Sequence, residues 1–182
     1  MATATVHTER LVLRRWRAED RAPFAAINAD AEVMRWIGSG RVLGRALSDE
    51  LVDRFEREWD QRGHGLWAVG WRNDPAGLLL GFCGLTAPMF LPDVLPAAEV
   101  GWRLARPAWG LGVATEAAQA ALAFGFERSG LAEIVAVVAP ENARSLRVAE
   151  KLGMTRRPDR HHAAAGRRVA VLGVSADGYN GA

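Results

Sequence analysis

The order of elements written into this chain predicts an α+β protein, in which helices flank one mixed, mostly antiparallel sheet. Three observations carry that expectation. Two strand-like runs in the middle of the chain are joined by a short Asn/Asp/Pro/Gly turn, which makes an antiparallel hairpin. Two later apolar strands are separated by a long apolar helix, and that connection length makes them parallel. With 182 residues, 49% hydrophobic and 24% charged, the chain fits one domain over 1–182 with a substantial core.

The elements follow in order. Residues 10–15 alternate, with Leu11 and Leu13 on one face, and read as the first strand. Arg17-Ala18-Glu19-Asp20 opens a helix reaching about Asn28, and Pro23 is tolerated in its first turn. A short helical stretch over 31–37 stops at Gly38-Ser39-Gly40. Ser48 has N-cap chemistry for a helix over 49–61, which Gly63 ends. Leu66–Trp71 is a strand, 73–77 a turn, and 78–85 the returning strand. Residues 89–96 hold two prolines and form a loop. Ala98–Leu104 is a strand; a glycine-bearing loop and a helix over 113–127 follow. Glu133–Val138 is an apolar strand, and Asn142 caps a helix that ends at Gly153. Residues 161–166 read as an irregular excursion before the last strand, 169–174.

Composition excludes several classes. A net charge of +2, with arginines scattered along the chain, lacks the clustered basic stripe of a nucleic-acid binder. It suits an anionic small ligand. No run approaches a membrane span, and the N-terminus lacks a signal-peptide core, so a cytoplasmic location and no membrane partner are expected. The lone Cys83 lies in an apolar run and reads as a buried structural thiol. The histidines, His7, His64, His161 and His162, make no metal spacing, so no metal is expected. His64, between two glycines, reads as a loop residue that could also face a substrate. Trp36, Trp59, Trp67 and Trp71 serve either the core or the wall of a binding site.

The most informative stretch is Trp109-Gly110-Leu111-Gly112-Val113-Ala114-Thr115-Glu116-Ala117. Its glycines stand where a strand hands over to a helix. A helix start carries unpartnered N–H groups and the positive end of the macrodipole. Glycines there let a bulky anion approach the backbone, as a phosphate or pyrophosphate does. No Lys follows Gly112, so this is no P-loop, and the spacing does not fit the dinucleotide fingerprint.

The stretch resembles the acetyl-CoA pyrophosphate loop of the GNAT superfamily of N-acetyltransferases. The pattern Gln/Arg-x-x-Gly-x-Gly/Ala reads here as Trp109-x-x-Gly112-x-Ala114, with Trp in the first place. Four further segments resemble one branch, that of the ribosomal-protein N-terminal (alanine/serine) acetyltransferases. They are Thr8-Glu9-Arg10-Leu11-Val12-Leu13-Arg14, Asp30-Ala31-Glu32-Val33-Met34-Arg35-Trp36, Ala98-Glu99-Val100-Gly101-Trp102-Arg103-Leu104, and Asn142-Ala143-Arg144-Ser145 with Glu150-Lys151-Leu152-Gly153-Met154. The element order matches the GNAT arrangement as well.

The resemblance implies an acetyl-CoA-dependent N-acetyltransferase, bacterial and cytoplasmic, with an amine acceptor. That acceptor would be a protein or peptide N-terminus or a small-molecule amine. It implies that the backbone N–H groups of Gly110, Leu111, Gly112, Val113, Ala114 and Thr115 hold the CoA pyrophosphate, with Trp109 part of the same cofactor-binding loop in place of Gln/Arg. It implies a splay between the family's fourth and fifth strands, here Ala98–Leu104 and Glu133–Val138. There the backbone of Trp102, Arg103 and Leu104 takes the pantetheine and polarises the thioester oxygen. Gly101 is consistent with a local bulge.

Alternation puts Glu99, Gly101 and Arg103 on the face opposite Ala98, Val100, Trp102 and Leu104. By the resemblance Glu99 is the general base that takes the amine proton; the plainer alternative is a solvated carboxylate. Asn142 either touches the pantetheine or simply caps its helix. Ser145 either serves the leaving thiolate or is a small sheet-facing residue. The place where many family members carry a Tyr general acid is Ala149. That departure keeps a second reading open, a non-catalytic acyl-CoA-binding sensor. Homodimers are common in the family.

Overall fold

The computed structural model describes residues 5–74 and 77–179. Within them the chain forms β1 (Val6–His7), β2 (Leu11–Arg14), α1 (Arg21–Ala29), α2 (Ala31–Met34), α3 (Arg45–Arg62), β3 (Leu66–Trp71) and β4 (Gly81–Thr86). It continues through β5 (Ala98–Leu104), α4 (Val113–Ala123), β6 (Glu133–Val138), α5 (Ala143–Lys151), β7 (Thr155–His162) and β8 (Arg167–Ser175). The strands make one 8-stranded sheet in the order β1-β2-β3-β4-β5-β6-β8-β7. Every neighbouring pair is antiparallel except β5 with β6, which is parallel.

The two faces of the sheet bury largely different helices, with Trp59 near the end of α3 reaching round to Trp67. Trp67, Val69, Cys83, Leu85, Val100 and Leu104 pack with Val113, Ala117, Ala118 and Ala121 of α4 and Ala149 of α5. Leu66, Ala68 and Phe82 pack with Phe24 and Ile27 of α1, Val33 of α2, and Val52 and Phe55 of α3. The strand period of two sorts these sets without exception. Alanines let α4 lie close to the sheet. Beyond Ala123 the helix widens into a π turn, Phe124–Arg128. A side chain at Gly125 would collide there with Ile134 and Leu85, at 2.7 and 2.9 Å.

Several expectations need correction. Ser48 caps no helix: α3 starts three residues earlier, after Gly44, and the buried Ser48 hydroxyl donates to the Gly44 carbonyl at 3.0 Å. The strand expected over 78–85 begins only at Gly81, and Leu78 is 81% exposed. The second helical stretch ends at Met34 rather than near residue 37. The helix expected over 113–127 is α-helical to Ala123. The turn over 73–77 lies partly outside the described residues. His161 and His162, expected in an irregular excursion, end an eight-residue strand, β7. That strand is the outer edge of the sheet, so Arg156, Arg157, Asp159 and Arg160 replace the apolar alternation that would have marked it.

Candidate active site

The site starts from a break in the sheet. The strands β5 and β6 pair over only Ala98 with Ile134 and Glu99 with Val135. Beyond Glu99 they part, as the splay requires. On its other side β5 stays in register with β4 along its whole length, from Leu104 opposite Gly81 to Glu99 opposite Thr86. Gly101 therefore sits in regular strand and makes no bulge.

Alternation then decides which backbone groups face the gap. The Ala105 N–H donates to the Leu80 carbonyl at 2.8 Å, on the β4 side. Counting back by two, Arg103 and Gly101 also face β4, while Leu104, Trp102 and Val100 face the opening. This corrects the expectation for Arg103, whose backbone is spent on β4. The Leu104 carbonyl is also engaged, by the Trp109 indole N–H at 2.9 Å. Trp102 keeps its backbone N–H and carbonyl on the open side.

The loop that follows shows why glycines are required. Gly110 and Gly112 have φ of 78° and 81°, left-handed values that cost other residues energy. Gly112 is the N-cap of α4, and Glu116 is the first residue whose N–H finds a helical acceptor, the Gly112 carbonyl at 3.1 Å. The N–H groups of Val113, Ala114 and Thr115 precede that bond and point out of the helix start. Arg10 braces the loop, donating to the Leu111 carbonyl at 3.0 Å and pairing with Glu116 at 2.6 Å. Glu116 also accepts from the Thr8 hydroxyl and the Arg10 N–H. Burial opposes ionisation of Glu116, but these bonds outweigh it and hold its carboxyl below the usual range. Trp109 carries two guanidiniums on its ring, Arg106 at 4.7 Å and Arg144 of α5 at 5.0 Å. Cations thus gather at the place where the family motif has Gln or Arg, although Trp109 itself is neutral.

On the α1/α3 face of β5 stand Glu99, Gly101 and Arg103. Burial alone pushes the Glu99 carboxyl up to about 8. Between its neighbours, Gly101 leaves open space: a Cβ there would meet nothing within 4 Å. Thr86, opposite Glu99, donates its hydroxyl to Glu58 of α3 at 2.8 Å. Arg103 donates to the Asn28 side-chain oxygen at 2.6 Å and lies over Phe82 and Phe24, at 5.2 and 5.9 Å. Burial, with repulsion from Arg54, brings its guanidinium down to about 10. Burial and the Arg62 charge lower the His64 imidazole, which remains in the loop before β3.

Across the gap, the Asn142 side-chain oxygen accepts from the Ser145 N–H at 3.2 Å, so it does cap α5. The Ser145 hydroxyl has no hydrogen-bond partner among the described residues and is half-buried. Ala149 is fully buried in the core, and Tyr179 packs at a tilt against Phe126, with ring centroids 4.9 Å apart. Cys83 is buried on the α4 face and its thiol is raised by that burial. No metal-ligating cluster of three or more occurs among the described residues.

Sequence reading missed Glu58, Asn28 and Arg54. Glu58 borders the stripe Val52, Phe55 and Trp59 that α3 buries, so periodicity marks it as a boundary position and no more. Asn28 gives no local signal, because its role comes from Ser48 and Arg103, 20 and 75 residues away.

Solved structures with this architecture include several named as acetyltransferases. An acetyltransferase from Agrobacterium tumefaciens str. C58 superposes with a TM-score of 0.80 at 26% identity, covering 96% of this chain and 95% of its own. The ribosomal L7/L12 alpha-N-protein acetyltransferase RimL, solved in complex with Coenzyme A, shares the fold with a TM-score of 0.76 at 16% identity. That superposition covers 94% of this chain and 97% of RimL. In sequence, the Bacillus subtilis (strain 168) protein YkkB is 33% identical over 153 residues, covering 81% of this chain and 83% of YkkB. The acetyltransferase (GNAT) domain matches residues 10–155, and the chain belongs to that family.

Proposed function

We propose that residues 1–182 act as one cytoplasmic domain that moves an acetyl group from acetyl-CoA directly to a primary amine. The acceptor is a protein or peptide N-terminus or a small-molecule amine. The single observation that carries this reading is the position of Glu99. Its carboxyl lies where the β5–β6 pairing ends, and burial tunes it to about 8. A base matched to neutral pH is what removal of an amine proton calls for.

The loop fits the cosubstrate, since left-handed glycines and three free N–H groups at a helix start form a pyrophosphate cradle. Acetyl-CoA supplies an activated thioester. Gly110, Leu111, Gly112, Val113, Ala114 and Thr115 hold its pyrophosphate, and Trp109 fixes the loop to the end of β5. The Trp102 backbone pairs with the pantetheine, and its N–H faces the thioester oxygen as charge builds there. Glu99, directly or through water, takes the proton from the attacking nitrogen. The new C–N bond forms as the C–S bond breaks. The leaving thiolate accepts a hydrogen bond from Ser145, because Ala149 offers no hydroxyl. The Asn142 amide nitrogen is left for the pantetheine while its oxygen caps α5. A buried thiol at Cys83 argues against an acyl-enzyme.

Ala149 is the one observation that favours the alternative, a non-catalytic acyl-CoA sensor. Thiol release from acetyl-CoA, measured over peptides, amino acids, polyamines and aminoglycosides, separates the two. Turnover that falls at least about 100-fold in Glu99→Gln, with acetyl-CoA binding retained, is the expected result. Tight binding without turnover on any amine makes the protein a sensor, and absence of binding removes both readings.

A further inference from the structure

The acceptor face of β5 holds a cation that no anion neutralises among the described residues. Arg103 is enclosed by Phe24, Phe82 and Asn28, and its one hydrogen-bond acceptor among the described residues, the Asn28 amide oxygen, is neutral. Its Nε is buried without a partner. No carboxylate reaches it among the described residues; the charged neighbour it senses is another cation, Arg54. Glu58, on the α3 side of the same face, is committed to Thr86 and lies 3.9 Å from Arg54. Enclosing an unpaired guanidinium is costly, and elsewhere this chain avoids it: Arg14, whose side chain is 11% exposed, has Asp20 at 2.6 Å.

The space beside Arg103 is also unfilled. Glu99, Gly101 and Arg103 project from one face, and Gly101 leaves that face open between them. Each stands two positions along the strand from the next, so the face spans about 13 Å from Glu99 to Arg103. A groove of about 530 Å³ opens along α3, lined in part by Leu47, Glu50, Leu51, Asp53, Arg54 and Arg57, and so carries charges of both signs.

We infer that the acceptor is an amine that also carries a carboxylate or phosphate, several bonds from the nitrogen, held by Arg103 while the amine meets Glu99. Arg103 supplies the charge that meets the anion, and Asn28 orients its guanidinium. The inference rests on the transferase reading above and narrows its acceptor. Gly101 is then a specificity position, since any side chain there fills the path between the two charged ends.

The test compares matched tripeptide amides with a free N-terminal alanine. The second residue is aspartate or phosphoserine in one set, and asparagine or serine in the other. The expected kcat/KM ratio of anionic to neutral peptide is about tenfold or more in the native protein. Arg103→Gln brings the ratio to about one. Asn28→Asp does the same by giving Arg103 an internal carboxylate, and it keeps the guanidinium in place should the first variant fold poorly. The better of the aspartate and phosphoserine arms identifies the anion. A native ratio near one, or a ratio that survives both substitutions, overturns the inference. If no peptide is acetylated, the thiol-release screen over small amines tests the transferase reading separately. Calorimetric binding of the same pairs then decides: preference for the anionic peptides that depends on Arg103 upholds the anion site, and equal or absent binding overturns it.

Discussion

At the scale of single residues, the enclosure of Glu99 has consequences in both rate and stability. The carboxyl must be ionised to act as a base, so kcat/KM rises with pH and levels above about 8, and Glu99→Gln loses that limb. The sign for stability is opposite. A carboxyl raised in the fold to about 8, from about 4.3 unfolded, favours the folded state fully at low pH. That contribution is lost as pH climbs through 8. Glu99→Gln, which cannot ionise, therefore gains in Tm relative to the native protein between pH 5 and 9, as thermal melts across that range will show. The identity of Glu99 as a candidate was legible because strand alternation and the family pattern both point to it. The company it keeps was not. Asn28, Glu58 and Arg54 reach the same face from α1 and α3, and no periodicity within one element announces a partner in another.

At the scale of elements, the start of α4 depends on the N-terminal segment. Thr8 and Arg10 converge on Glu116 and through Arg10 on the loop carbonyl of Leu111. With Arg10 44% exposed, solvent screens part of the pairing, and Glu116→Ala costs about 1–2 kcal/mol. Because the bonds lower the Glu116 carboxyl, this stability is present above its unfolded value and is lost as pH falls through the folded one. The deficit of Glu116→Ala against the native protein is thus clear in melts at pH 7 and shrinks at pH 3. Helix α5, β3, β5 and β6 were readable with close bounds, since caps, glycines and apolar runs agree there. Ser48 misled because its hydroxyl serves Asn28 inside the core rather than a helix end. The strand β7 went unseen because edge position, not burial, selects its residues.

At the scale of the molecule, the sheet and α4 fit through small side chains. Ala117, Ala118 and Ala121 have no exposed surface and leave no room for larger ones. Ala121→Leu overpacks this contact, and we expect a loss of about 1–3 kcal/mol in denaturant unfolding. No helix among the described residues is long and apolar enough to cross a membrane. The parting of β5 from β6 has a further meaning for a molecule that must avoid pairing with its neighbours. A strand with open hydrogen-bonding groups invites another chain to add on. The outer rim answers chemically: β7 carries arginines, Asp159 and Pro158, and its register shifts between Arg157 and Arg160. The inner edge at Trp102 has no such guards. Its protection is position, deep in the sheet between two helix starts, where a folded chain is too wide to enter and a slender, flexible thread is not.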